Sequence, residues 1–144
     1  AAEYAPELWP ADPAARAHAR AIASEMHAGF TGLRQAMPMS LFRQGAAGAG
    51  RTEACLADIA RIETIWRSAL AKSGGPFLFG AGFGNADAMY APVVARFLTY
   101  QPEVSAESQA YCAAIRAHRL VARWYDEAAA EPVAWHLPRY ETMP

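Results

Sequence analysis

Four histidines, two cysteines, one glycine cluster and one isolated carboxylate are the residues of this chain with the most chemistry to offer. His18, His27, His118 and His136 fall in no His-Glu-x-x-His pattern, and Cys55 and Cys112 form no Cys-x-x-Cys pair. No metal-ligand spacing is therefore present, and no metal is expected. A cysteine meeting a histidine in space would make an activated nucleophile. Against that, Cys55 lies on the apolar stripe of a helix and Cys112 on an alanine-rich one, which reads as two buried structural thiols. Gly80-Ala81-Gly82-Phe83-Gly84 invites a phosphate-loop reading. The only candidate strand before it is Phe77–Phe79, the dinucleotide pattern of glycines is incomplete, and no Lys-Ser/Thr closes it. A turn connector is the better reading. Asp87 sits three residues after Gly84, where a helix starts amid apolar sequence. A carboxylate there accepts from unpaired first-turn N–H groups and complements the helix dipole, so Gly84 and Asp87 are read as a structural helix cap.

The elements that must position these groups are helical. Asp12-Pro13 is an N-cap acceptor followed by proline at the first helical position. Behind it Ile22, Met26, Phe30 and Leu33 recur at helical spacing, and Met37-Pro38 ends the segment. A second helix is expected from about Arg51 to Lys72, with Cys55, Ile59, Ile62, Trp66 and Leu70 as its stripe and Ser73-Gly74-Gly75-Pro76 as its stop. A third begins near Asn85 and runs through Met89, Val93 and Phe97, with Pro92 removing one backbone donor inside it. A fourth starts after Ser105 and continues through Tyr111, Ile115, Val121 and Trp124 to about Ala129. Met39 to Gly50 is a loop, and 132–144 is an ordered aromatic tail that packs on the bundle. No strand alternation appears, so the fold class is an all-α single domain, a helical bundle spanning 13–131 after a linker over 1–12.

Composition bounds the function. At 144 residues the chain fits one domain and buries a core without metal or disulfide. Hydrophobic residues at 53% against 19% charged place it among globular chains. A formal net charge of -1 argues against a nucleic-acid partner. No apolar run is long enough to span a membrane. Two cysteines make no disulfide framework, and a reduced, cytoplasmic thiol pair is the simpler reading. The opening Ala1 lacks a signal-peptide pattern and is read as the start of a processed or excised piece.

Phe77-Leu78-Phe79-Gly80 followed by Phe83-Gly84-Asn85-Ala86-Asp87-Ala88-Met89-Tyr90-Ala91-Pro92 resembles the C-terminal all-helical domain of cytosolic glutathione transferases. There an apolar stretch and a glycine precede Phe-Ser/Thr-x-Ala-Asp and a helix. Gly84 stands where the family has a hydroxyl N-cap, so half of the capping box is absent. Glu3-Tyr4 and Leu8-Trp9-Pro10-Ala11-Asp12-Pro13-Ala14-Ala15-Arg16 resemble the family's linker and the helix that follows it. The resemblance implies a five- or six-helix right-handed bundle, the second domain of a homodimeric enzyme. The thioredoxin-like first domain, which binds glutathione and activates its thiol, is not in this chain.

Glu25-Met26-His27 is similar to the Glu-Leu-His of the bacterial beta class, whose histidine faces the active-site cleft; Ala28 replaces the lysine that follows there. His27 borders the Met26–Phe30 stripe, and it reads equally as a donor to a ligand thiolate or carboxylate and as a histidine satisfied by a backbone carbonyl. By the resemblance, Phe30, Arg34 and Met37 line the apolar-substrate pocket, and Trp135 and His136 close over it. The spacing of Phe30 also fits plain core, and Arg34 also fits a solvated face. Two function classes follow. The first is the electrophile-binding and dimerisation domain of a glutathione transferase, with glutathione and a small apolar electrophile as partners. The second is a non-catalytic interaction module of the same fold.

Overall fold

The computed structural model describes residues 5–135 and Leu137. Glu3-Tyr4 and His136 lie outside the described residues. Six α-helices follow a short 3-10 turn at Pro6–Leu8: α1 (Pro13–Ala28), α2 (Thr31–Ala36), α3 (Glu53–Ser73), α4 (Asn85–Tyr100), α5 (Ala106–Ala117) and α6 (Arg119–Ala129). Among the described residues the only extended pairing is an isolated bridge between Phe77 and Gly80.

Three helix starts obey local capping. Asp12 accepts from the Ala15 N–H at 2.7 Å, Thr52 from Cys55 at 3.3 Å and Ser105 from Ser108 at 3.3 Å. Each satisfies a donor that the first turn leaves unpaired. α3 ends at Gly74 with a left-handed φ of 65°, a conformation glycine adopts without a Cβ clash. α4 runs unbroken through Pro92. The carbonyl that Pro92 has no N–H to meet belongs to Ala88, an exposed residue one turn earlier.

The structure divides two helices that the spacing predicts as continuous. The segment from Asp12 to Met37 breaks at Gly29-Phe30, where Phe30 takes φ 59°. A left-handed residue with a Cβ costs about 1–2 kcal/mol, so packing must hold it there. Phe30 is buried at 7% exposure, and the break turns Leu33 and Met37 into the same core. The segment from Ser105 to Ala129 breaks at His118, whose extended backbone caps both α5 and α6. Its ring stacks on Phe83 with centroids 4.1 Å apart and meets Phe77 edge-on at 5.8 Å.

Packing centres on Trp66 of α3, which is fully buried. Tyr90 and Phe97 of α4 and Tyr111 of α5 surround its indole at 5.7, 5.2 and 4.7 Å. Rings of this size bury more apolar surface per residue than aliphatic side chains do. α1 packs on α4, α2 on α3, and α5 joins α3, α4 and α6. The α2–α3 approach is close because Gly32 faces Ala54; a Cβ at Gly32 would stand 2.6 Å from the Ala54 carbonyl carbon.

Candidate functional site

The helix start with the clearest chemistry is that of α4. Asp87 is 1% exposed and its carboxylate accepts three hydrogen bonds. Oδ2 takes the Gly84 N–H at 2.9 Å; Oδ1 takes the Leu78 N–H at 3.0 Å and the Tyr111 hydroxyl at 3.0 Å. Gly84 has no side chain to return the bond, so the reciprocal half of the box is missing. Burial pushes the Asp87 carboxyl above its ordinary range, against the pull of the three donors. All three oxygen contacts run to the protein itself. Asp87 thus pins the 77–84 connector and α5 to the start of α4, a structural office.

The cysteines are equally enclosed. Cys55 and Cys112 are buried free thiols. Burial raises both, Cys112 to about 12. A thiol held protonated makes a poor nucleophile. Among the described residues no group of His, Cys, Asp and Glu is arranged to hold a metal ion.

The groove that offers a ligand site lies along the α1–α4 pair. The Tyr90 hydroxyl of α4 donates to the Ile22 carbonyl of α1 at 3.2 Å and fixes the two helices together. Beside this contact a cavity of about 790 Å³ is lined by Arg20, Ala23, Ser24, His27 and Ala28 of α1 and by Asn85, Ala88 and Met89 of α4. The α1 positions recur three and four apart and so share one helix face. Trp9, from the segment before α1, completes the lining, with the Arg20 guanidinium 5.6 Å from its ring centroid. His27 is exposed at the groove. The Asn85 amide nitrogen is buried, and among the described residues no acceptor reaches it. A size of several hundred Å³, a mainly apolar lining and a few polar side chains suit a small organic molecule.

Among the described residues, His27 is the one sequence-predicted pocket residue that lines this groove. Phe30 and Met37 are buried in the core, at 7% and 0% exposure. Arg34 turns back onto α1: its Nη2 donates to the Met26 carbonyl at 2.7 Å and its Nε to the Gly29 carbonyl at 3.1 Å. Those carbonyls end a helix and lack intrahelical donors, which a nearby guanidinium supplies. Trp135 is 68% exposed and stands outside the groove lining. His136 lies outside the described residues. Sequence reasoning missed Arg20, Trp9, Asn85 and Met89. For Arg20 and Ala23 the signal was present, since both lie on the His27 face of α1 at i−7 and i−4. For Asn85 and Met89 none was, because α4 is nearly sixty residues away.

A family model described as "Glutathione S-transferase, C-terminal domain" matches residues 49–127, more than half of the chain. The match takes in α3, α4 and α5 and most of α6; α1, with Arg20 and His27, precedes it. No curated protein matches the chain.

Proposed function

Because the chain belongs to the glutathione S-transferase C-terminal domain family, we propose that its α1–α4 groove is one wall of the site where a glutathione thiolate meets an apolar electrophile. The observation that carries this reading is the groove itself, about 790 Å³ and mainly apolar, with His27 exposed in its lining. In this reading a thioredoxin-like domain of the same protein binds glutathione and activates its thiol. This chain supplies the apolar surface and one imidazole. The thiolate sulfur forms a bond to the electrophilic carbon, and the leaving group departs with its electron pair. The thiol proton has already passed to solvent or to a base of the other domain. His27 donates a hydrogen bond to the thiolate or to a glutathione carboxylate. The protein works as a cytoplasmic homodimer.

The test is kinetic and uses the full-length protein with glutathione and a neutral aryl halide. His27→Ala raises the KM for glutathione or lowers turnover, reducing kcat/KM by about tenfold, the size of one hydrogen bond to a charged group. Kinetics equal to the parent reject the role of His27. The intact mass of the protein in its cell extract decides between this reading and the interaction module. A species heavier by a small domain supports a transferase, whereas a species of 15.6 kDa leaves the helical domain without its thiol-activating half.

A further inference from the structure

An exposed side chain points where its backbone directs it, and exposed His27 stands on the last turn of α1. Helix ends ordinarily fray, because their final carbonyls have no intrahelical donors. This end is held from three sides. The Met26 side chain is buried in the core. Glu25 makes its two-point pair with Arg61 of α3, at 2.7 and 2.9 Å. Arg34 of α2 reaches back across the break. Its Nη2 donates to the Met26 carbonyl at 2.7 Å and lies 3.5 Å from the His27 carbonyl, while its Nε donates to the Gly29 carbonyl at 3.1 Å. One planar guanidinium therefore bonds carbonyls on both sides of His27. The break makes this possible. In an unbroken helix Arg34 would stand about 12 Å along the axis from Met26. The chain turns back instead, through the left-handed Phe30 and a glycine whose Cβ would lie 2.7 Å from the Glu25 carbonyl oxygen.

We propose that Arg34 is a positioning residue: by clasping the Met26 and Gly29 carbonyls it fixes the last turn of α1 and, through it, the direction in which the His27 imidazole enters the groove. The proposal rests on the reading of His27 as a donor to glutathione and adds the residue through which that donor is held. A donor already held in one direction loses less freedom when it meets its ligand. Arginine suits the task twice over. Its charge complements the negative end of the helix. Its rigid fork meets two carbonyls at once, which the point charge of a lysine does less well. Arg34 is not part of the groove lining, so its replacement leaves the apolar wall in place.

Two measurements on the full-length protein test this. The first is amide hydrogen exchange, read by mass spectrometry. Arg34→Met keeps the apolar stem and removes the donors. It is expected to speed exchange about tenfold at residues 26–29, as loss of charged hydrogen bonds at a helix end should, and to leave the rest of α1 and the whole of α3 at parent rates. Arg34→Lys falls between the two. The second is a double-mutant cycle with glutathione and a neutral aryl halide. Arg34→Met lowers kcat/KM about threefold when His27 is present and has no further effect in His27→Ala, because a residue that acts through another adds nothing once that other is gone. Parent exchange rates at 26–29 in Arg34→Met overturn the proposal, and so does faster exchange in every helix, which marks a general loss of stability. The same kinetic loss with and without His27 overturns it as well, since Arg34 would then act by another route. A parent protein that conjugates no aryl halide loses the transferase reading, and exchange alone then decides whether Arg34 holds the turn beneath His27.

Discussion

Replacing Asp87 by alanine is the most direct probe of how this domain holds its site-bearing helix. The side chain is 1% exposed and accepts from the Leu78 N–H, the Gly84 N–H and the Tyr111 hydroxyl. Alanine leaves those donors unpaired. Leu78 and Tyr111 are 0% and 1% exposed, so water cannot replace the carboxylate there, and each orphaned donor costs about 1–3 kcal/mol. Gly84 is half-buried, and its N–H recovers part of its loss from solvent. Against this, the variant no longer keeps a carboxylate out of water, a desolvation cost that the raised Asp87 pKa registers. The balance is a loss of about 3–5 kcal/mol, a large share of the stability of a domain this size. In thermal terms the transition falls by roughly 10–20 °C.

The assay is urea unfolding followed by far-UV circular dichroism, with Tyr111→Phe as the control. That variant removes a donor and leaves Oδ1 its Leu78 partner, so it costs about 1 kcal/mol. A pH series adds a second signature. The folded Asp87 pKa lies above its ordinary 3.8, so the native state holds this proton more tightly than the unfolded chain. The contribution of this group to stability is therefore highest at low pH and declines as pH rises from 3.8 through the folded value. Asp87→Asn, which does not titrate, loses that decline. A stability for Asp87→Ala within about 1 kcal/mol of the parent would refute the reasoning, since solvent or a rearranged connector would have satisfied the donors.

Gly32→Ala sets helix propensity against packing: alanine favours α2 by about 1 kcal/mol, but its Cβ meets Ala54 backbone atoms at 2.6 and 2.7 Å. Those backbone atoms cannot swing aside, so packing wins and the urea midpoint falls by the equivalent of about 1–2 kcal/mol; an unchanged midpoint contradicts the close approach. Arg61→Gln removes a two-point pair to Glu25, with N–O distances of 2.7 and 2.9 Å, that ties α3 to α1. Half-exposed side chains limit the loss to about 0.5 kcal/mol at neutral pH. The Arg61 hydrogen bond holds Glu25 below its ordinary 4.5, so this stability is present above 4.5 and is lost as pH falls through the lowered folded value. Parent and variant should therefore converge in acid, and a difference that persists there would place the effect elsewhere.

Helix starts were legible because capping is local. Asp12 and Ser105 accept from donors three residues on, within reach of any chain that begins a helix there. The stripe Cys55, Ile59, Ile62 and Trp66 was legible for a similar reason, since the helical repeat decides which residues share a face. The breaks at Phe30 and His118 were not. Phe30 is a poor left-handed residue by its own preference, and only burial of its ring and of Leu33 and Met37 offsets that cost. His118 carries no proline or glycine signal, and its extended backbone goes with a ring laid on Phe83, thirty-five residues earlier.

The sequence by itself determined the all-α class, the faces that turn inward and the family, because each follows from spacing along one helix or from a contiguous motif. Tertiary structure decided what those faces meet. Arg34 was a free cation beyond an apolar stripe until the break at Gly29 folded it back onto the Met26 carbonyl. Arg20 was one more surface arginine until α1 packed beside α4 and placed it on a groove with Trp9 and Met89. A periodic pattern states that a face is buried or exposed, and it carries no term for the partner across the gap. That choice depends on contacts between residues far apart in sequence, whose free energy exists only once the whole core has closed.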